Sequence, residues 1–169
     1  DDDEGAALYV VDGETGELIW KAVGSGSSSS KVFVHAGLTD SIASNVAAFD
    51  SNGDQLTDRI YVGDTGGRIW RADIHGEDTS TWKLTLLADL GRHYSATKLN
   101  DRRFFHAPDV VLHKDEAGPY DSVVIGSGDR PDPLDKGGMV DNFLYMIKDR
   151  NTVTGGGTNT GMTHASFGD

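Results

Sequence analysis

The chain has 169 residues, about one domain, and carries 27 acidic against 15 basic side chains, a net charge of -12. That balance argues against a nucleic-acid-binding face. No stretch approaches the roughly 18 apolar residues of a membrane span, no basic amphipathic segment would lie on a membrane, and the absence of cysteine removes disulfides, thiolate metal sites and cysteine nucleophiles. Of the acids, 22 are Asp and 5 are Glu, beside 22 Gly. Asp and Gly favour turns over helix, so the composition predicts an all-β chain with its acid in the loops. The start at DDDEG, without Met or a signal-like segment, reads as a mature or excised piece. A hydrophobic content of 37% allows a modest core, as expected of part of something larger.

In chain order, residues 8–20 (LYVVDGETGELIW) predict a β-hairpin, two strands rich in β-branched and aromatic residues around a Thr-Gly turn. GSGSSSS at 24–30 reads as a flexible linker. The central unit predicts four strands, Val46–Asp50, Arg59–Gly63, Arg68–Ile74 and Trp82–Leu90; its IYVGDTGGRIW repeats the first hairpin, aligning Tyr61 with Tyr9 and Trp70 with Trp20. Residues 92–105 are a poor helix candidate. DVVLHK at 109–114 and SVVIGSGD at 122–129 form a second copy of the apolar strand, acidic turn, apolar strand layout, and FLYMIKDRNT at 143–152 echoes the first hairpin. From Asn151 the chain is a Gly/Thr-rich loop or tail. The expected architecture is a fragment of a β-propeller with four-stranded antiparallel blades, approximately 1–38, 39–95 and 96–150, followed by the tail 151–169. Three blades do not close a ring, so an open sheet or sandwich is the alternative.

The segment with the sharpest chemistry joins the first two strands of the central unit, Asp50-Ser51-Asn52-Gly53-Asp54-Gln55-Leu56-Thr57-Asp58. Oxygen-bearing side chains fall at relative positions 1, 3, 5 and 9: Asp50, Asn52, Asp54 and Asp58. Ca2+ takes about six to eight hard oxygen ligands, and the backbone carbonyl of Leu56 at position 7 adds one. Mg2+ suits such a loop less, because it demands octahedral geometry. Position 6 is Gln55 where a helical calcium hand has Gly, so the sharp turn is expected elsewhere, at Gly53; position 12 is Tyr61 rather than Glu. The alternative is an Asp-rich turn that caps itself with side-chain hydrogen bonds, although three carboxylates and an amide in nine residues repel one another without a cation. The corresponding turn at 115–121 lacks ligands at positions 3 and 5 and reads as an ordinary turn.

Other segments are weaker candidates. The six histidines are scattered without zinc-site spacing, and no G-x-S-x-G elbow occurs, so no catalytic residues are expected. GDTGGR at 63–68 leads into a strand and reads as a tight turn rather than a phosphate cradle. Asp1–Glu4 reads as a solvated terminus, and Trp20 and Trp70 as core. GSGDRPDPL at 126–134 reads as a recognition loop or a structural Asp129–Arg130 turn.

The run VAAFDSNGDQLTDRIYVGDTGGRIWRADI (46–74), with VVIGSGDRPDPL (123–134) and FLYMIKD (143–149), resembles the C-terminal propeller of the PilY family of type IV pilus assembly and tip-adhesin proteins, over roughly residues 7–150. The resemblance implies a modified, quinoprotein-like β-propeller and a non-enzymatic protein exported to the cell surface, at the pilus tip or outer membrane. It also implies a Ca2+ site, held by Asp50, Asn52, Asp54, the Leu56 carbonyl and Asp58, that governs pilus extension against retraction. Expected partners are other pilus components, the minor pilins, and host or abiotic surfaces. Two alternatives stand beside it: a quinoprotein (PQQ-type) dehydrogenase propeller, because VVDGETGELIW resembles the repeats of that fold, and an integrin-like adhesive propeller, which would repeat the loop in several blades.

Overall fold

Period-two alternation of apolar residues builds three sheets in the computed structural model, which describes residues 4–93, 96–134, 140–152 and 162–167. The first sheet pairs β1 (Ala7–Val11) antiparallel with β2 (Leu18–Val23), and β2 in parallel with β3 (Val32–Val34). The second is an antiparallel meander of β4 (Ala47–Phe49), β5 (Arg59–Gly63), β6 (Arg68–Asp73) and β7 (Lys83–Asp89). The third contains β8 (Asp109–Asp115), β9 (Gly118–Gly126) and β10 (Leu144–Asp149), all antiparallel. A last short strand, β11 (Met162–Thr163), returns to pair in parallel with β7. The only helical segments among the described residues are short 3-10 turns, so the chain is all-β, and no described helix is long and apolar enough to cross a membrane.

The second sheet is covered on both faces. Ile60, Val62, Trp70, Ala72 and Leu84 pack with Leu8, Trp20 and Ala22 of the first sheet. Tyr61, Ile69, Leu87 and Ala88 pack with Val123, Ile125, Tyr145 and Ile147 of the third. Every residue of β5 is therefore buried. Trp20 and Trp70 lie in the core, Trp20 edge-on to Trp82 at 6.0 Å between centroids. The tyrosines that the repeat aligns differ, Tyr61 being 0% exposed and Tyr9 58%. Among the described residues the first sheet is packed on one face, and Tyr9 points from the other.

Local readings meet mixed outcomes. The four central strands form where expected, shortened by a residue or two at their ends. GSGSSSS is ordered rather than a loose linker: Ser29 bridges Val32, and the Ser30 carbonyl accepts from the Thr79 hydroxyl at 2.7 Å. In 92–105 the described residues form a turn at Lys98–Asn100, and Arg102 is buried, donating to the Leu90 carbonyl at 2.9 Å. The turn after β8 is tighter than expected, since Asp115 already pairs with Gly118. Asp1–Asp3 and residues 153–161 of the tail lie outside the described residues.

GDTGGR is a tight turn. Asp64 Oδ1 accepts from the N–H groups of Gly66 and Arg68, both at 2.9 Å, and Oδ2 from the Trp70 indole at 2.7 Å. Gly67 has φ +81°, and a Cβ there would lie 2.4 Å from Gly91 Cα and 2.6 Å from the Arg102 carbonyl, so no other residue fits. Burial pushes the Asp64 carboxyl up to about 6, against the opposing pull of the Trp70 and Arg68 N–H donors. The native state then holds this proton more tightly than the unfolded chain does. Its stabilisation is complete below about pH 4 and lost as pH rises through about 6, on the order of 3 kcal/mol in all. Denaturant unfolding should show wild type losing more stability than Asp64→Asn across that interval; parallel curves would refute the assignment.

Candidate metal centre

The Asp50–Asp58 loop spans the β4–β5 hairpin and is shaped by its own side chains. Asp50 Oδ1 accepts from the N–H groups of Asn52 at 3.0 Å and Gly53 at 2.6 Å, and its Oδ2 from Gln55 N–H at 2.7 Å. Asn52 Oδ1 accepts from Asp54 N–H at 2.8 Å, and Asp54 Oδ1 from Leu56 N–H at 2.9 Å. At the far end Asp58 Oδ2 accepts from the N–H of Ser51 at 2.9 Å and from its hydroxyl at 2.7 Å. The Asn52 amide bridges the two flanks, donating to Asp54 Oδ2 at 3.2 Å and Asp58 Oδ1 at 3.4 Å. Asn52, Asp54 and Asp58 are thus in direct contact, and Asp50 is tied to them through the backbone they share. Leu56 sits at the exposed tip, its side chain 65% exposed.

The turn is made at two places. Gly53 has φ 86°, as expected, but Gln55 also adopts a left-handed φ of 73°, the only non-glycine residue among those described to do so. Position 6 therefore turns sharply without the glycine. Against the desolvation that raises it, the N–H groups of Gln55, Gly53, Asn52 and Asp54 hold the Asp50 carboxyl below its ordinary value. The loop is anchored at one end, with Asp58 only 2% exposed while Asn52 through Leu56 face solvent.

As the side chains stand, no group of three or more His, Asp or Glu among the described residues is arranged to hold a metal ion. The carboxylates are occupied by the loop's own N–H donors. The donor set is nevertheless all hard oxygen, three carboxylates, an amide and a backbone carbonyl, which is the chemistry of Ca2+ and not of zinc. None of Asp50, Asp54 and Asp58 has an ion-pair partner among the described residues. Several other carboxylates are ion-paired. Asp40 meets Arg92 and His93, Asp73 and Asp149 meet Arg71, Asp121 meets Arg59, and Asp115 meets Lys148 and Arg150. The turn at Asp115 is thus an ion-paired surface turn. In GSGDRPDPL, Asp129 pairs with Arg103 at 3.4 Å, and Arg130 lines a cavity of about 560 Å³ together with Phe105 and His106.

Sequence reasoning missed the largest polar feature, a buried network between the second and third sheets. Arg59 meets Asp121 at 2.5 Å, and Arg71 meets Asp149 at 2.8 Å and Asp73 at 2.6 Å. The Tyr61 hydroxyl lies 2.9 Å from Asp121 Oδ2 and 2.7 Å from Asp149 Oδ2. All six residues are at most 2% exposed. The signal available was polar residues at period two, 59 and 61, then 71 and 73, inside otherwise apolar strands.

No family model matches the chain. Over 86 residues it is 29% identical to the type IV pilus biogenesis factor PilY1 homolog of Xylella fastidiosa, a stretch covering 51% of this chain and 6% of that protein. It superposes with a TM-score of 0.65 on the crystal structure of the Pseudomonas aeruginosa PilY1 C-terminal domain, at 20% identity, over 94% of this chain and 34% of that one. The chain therefore has the β-rich fold of part of a PilY1 C-terminal domain. The resemblance to the PilY family, first carried by the motifs, holds in both comparisons.

The strained position gives a test. A non-glycine residue at left-handed φ costs on the order of 1–3 kcal/mol, part of which glycine returns as unfolded-chain entropy. Gln55→Gly should raise stability by about 0.5–1 kcal/mol in denaturant unfolding; a loss would show that the Gln55 side chain, not its backbone, holds the turn.

Proposed function

We propose that the chain is a non-enzymatic, calcium-binding β-propeller module of a type IV pilus biogenesis protein. In this reading Ca2+ binding regulates pilus extension against retraction, and with it twitching motility and surface attachment. The protein works outside the cell, at the pilus tip or outer membrane, against other pilus components such as minor pilins and against host or abiotic surfaces. The name of the Xylella relative and the fold of the Pseudomonas domain support the pilus assignment. Three face-to-face sheets, the central one an antiparallel meander, support successive blades.

The observation that carries the calcium reading is the missing counter-charge. The buried carboxylates Asp40, Asp73, Asp121 and Asp149 each meet an Arg or His, whereas Asp50, Asp54 and the buried Asp58 share one nine-residue loop without a basic partner among the described residues. Bound Ca2+ would supply that positive charge and the demand for several hard oxygens at once. Asp50, Asn52, Asp54 and Asp58 would hold it with the Leu56 carbonyl, while Ser51 orients Asp58 from behind.

Calorimetric titration of the chain with CaCl2 should reveal one site, abolished in Asp50→Ala and in Asp58→Ala. At a hundredfold excess over Kd, the ion should stabilise wild type by about 2.7 kcal/mol. Neither heat nor a thermal shift on adding Ca2+ would refute the metal site. In cells the same variants should change pilus number or twitching; wild-type motility would reduce the site to a structural one.

A further inference from the structure

A cavity of about 560 Å³ opens beside the third sheet, where β9 ends at Gly126 and β10 begins at Leu144. Its walls come from three segments, residues 98–106, 126–133 and 140–142. Backbone hydrogen bonds tie these segments together. Gly128 N–H donates to the Arg103 carbonyl at 3.0 Å, Ser127 N–H to the Phe143 carbonyl at 2.9 Å, and Asp141 N–H to the Leu99 carbonyl at 3.1 Å. The Ser127 hydroxyl donates to Asn142 Oδ1 at 3.0 Å and accepts from Phe143 N–H at 2.9 Å. The buried Arg102 adds a link to the Asp141 carbonyl at 2.6 Å. The cavity is thus framed by the fold, and its size falls in the range of small-molecule sites, roughly 300–1,000 Å³.

The lining carries charge of both signs that the protein leaves unanswered. Every other arginine of the chain meets a carboxylate or a carbonyl, whereas Arg130 has neither a hydrogen bond nor an ion pair among the described residues. With 27 acids against 15 bases, an arginine without an acid is the exception in this chain. The Lys98 side chain, from another wall, also lacks a partner among the described residues. On the negative side Asp132 is exposed and unpaired. Asp101 and Asp129 share the single Arg103 guanidinium, at 3.2 and 3.4 Å, which leaves one negative charge in excess. Oδ1 of each is buried and accepts no hydrogen bond. Phe105 and Val140 supply apolar surface.

A plain anion would meet Arg130 and Lys98 but also the carboxylates of the same lining, and a plain cation would meet the two bases. A ligand that answers both signs carries both. We propose that this cavity binds a short peptide or amino acid in its zwitterionic form. Arg130 takes the terminal carboxylate through its planar fork, with Lys98 adding a point charge. The terminal ammonium faces Asp132 and the negative excess of Asp101 and Asp129, and an apolar side chain lies against Phe105. Walls already fixed by hydrogen bonds spare the ligand the cost of ordering them. The site shares no residue with the Asp50–Asp58 loop and does not rest on the calcium reading.

The test uses the full chain, with the dipeptide alanyl-phenylalanine as the probe in calorimetry and ligand-observed NMR. It should bind at one saturable site. Acetylating its N-terminus or amidating its C-terminus removes one charge, and each change should weaken binding by about tenfold or more. Arg130→Gln should weaken the dipeptide to a similar extent and no longer distinguish the acid from the amide. Asp132→Asn should likewise cease to distinguish the free from the acetylated N-terminus. Both side chains are exposed, so the melting temperature should hold in both variants. Asp115→Asn, remote from the cavity lining, should bind as wild type does. No binding of the dipeptide, or binding that neither the modifications nor the variants change, would overturn the proposal. Inorganic phosphate or glucuronate displacing the dipeptide at equal concentration would show a plain anion site and overturn it as well.

Discussion

Two guanidinium groups and three carboxylates lie out of water between the second and third sheets, and this network sets how the rest of the molecule is assembled. Desolvating an ion costs several kcal/mol even after relaxation, so such a cluster persists only where each charge is met at close range and its remaining valences are satisfied. Here that condition, met except at Arg59 Nε and Asp121 Oδ1, constrains β5, β6, β9 and β10 together. The Tyr61 hydroxyl stands between two carboxylates with one proton to give. Burial and the adjacent Asp149 raise its phenol above the ordinary value, so it stays neutral and acts as a donor. Arg59 and Arg71, one on each flank, set two positive charges against the three carboxylates.

The two faces of the second sheet are thereby held by different physics. Toward the first sheet the seam is aromatic and aliphatic, with Trp20, Trp70 and Trp82 among its largest members. Such burial is non-directional and tolerates small slides. Toward the third sheet apolar packing of Ile69, Leu87, Val123 and Ile147 is supplemented by the ion network, which does not. The same network captures the chain as it leaves β10, through the carbonyls of Asn151 and Thr152, on its way to the last strand beside β7. One cluster thus fixes the relation of the sheets and the exit path of the chain.

Much of this architecture was legible in the sequence, for local reasons. Strands with period-two patterning and turns marked by Asp, Thr and Gly are specified by near neighbours, so the four strands of the central meander fall where the pattern puts them. The oxygen-bearing residues of the Asp50–Asp58 loop are equally local, though their hydrogen bonds were not legible: Asp54 and Asp58 meet the Asn52 amide while Asp50 turns to backbone N–H groups. The network was not legible because its members lie 60 to 88 residues apart, at Tyr61–Asp121 and Tyr61–Asp149. Nothing in a linear pattern says which inward-facing Arg meets which Asp. The aligned Tyr9 and Tyr61 failed as equivalents for a related reason: burial depends on whether a second sheet covers the face, which the repeat does not encode. At Gln55 propensity was overridden, since three N–H groups donating to Asp50 hold the left-handed turn that glycine would have adopted without cost.

That override bears on how an ion would act in the loop. A loop disordered without its ion would spend binding energy on ordering its own backbone. This one is already curled, by donors to Asp50, Asn52, Asp54 and Asp58, and it carries the strain of Gln55 in that state. Little of the curl therefore remains for an ion to create. What remains is electrostatic: three carboxylates of one nine-residue loop without a basic partner among the described residues, whose repulsion a bound cation would relieve. The exposed tip has little to pull against. The buried end does, because Asp58 is continuous with Arg59 and Asp50 with Phe49. An ion bound there would therefore act first on the hairpin's own entry into the core, at Phe49 and Arg59.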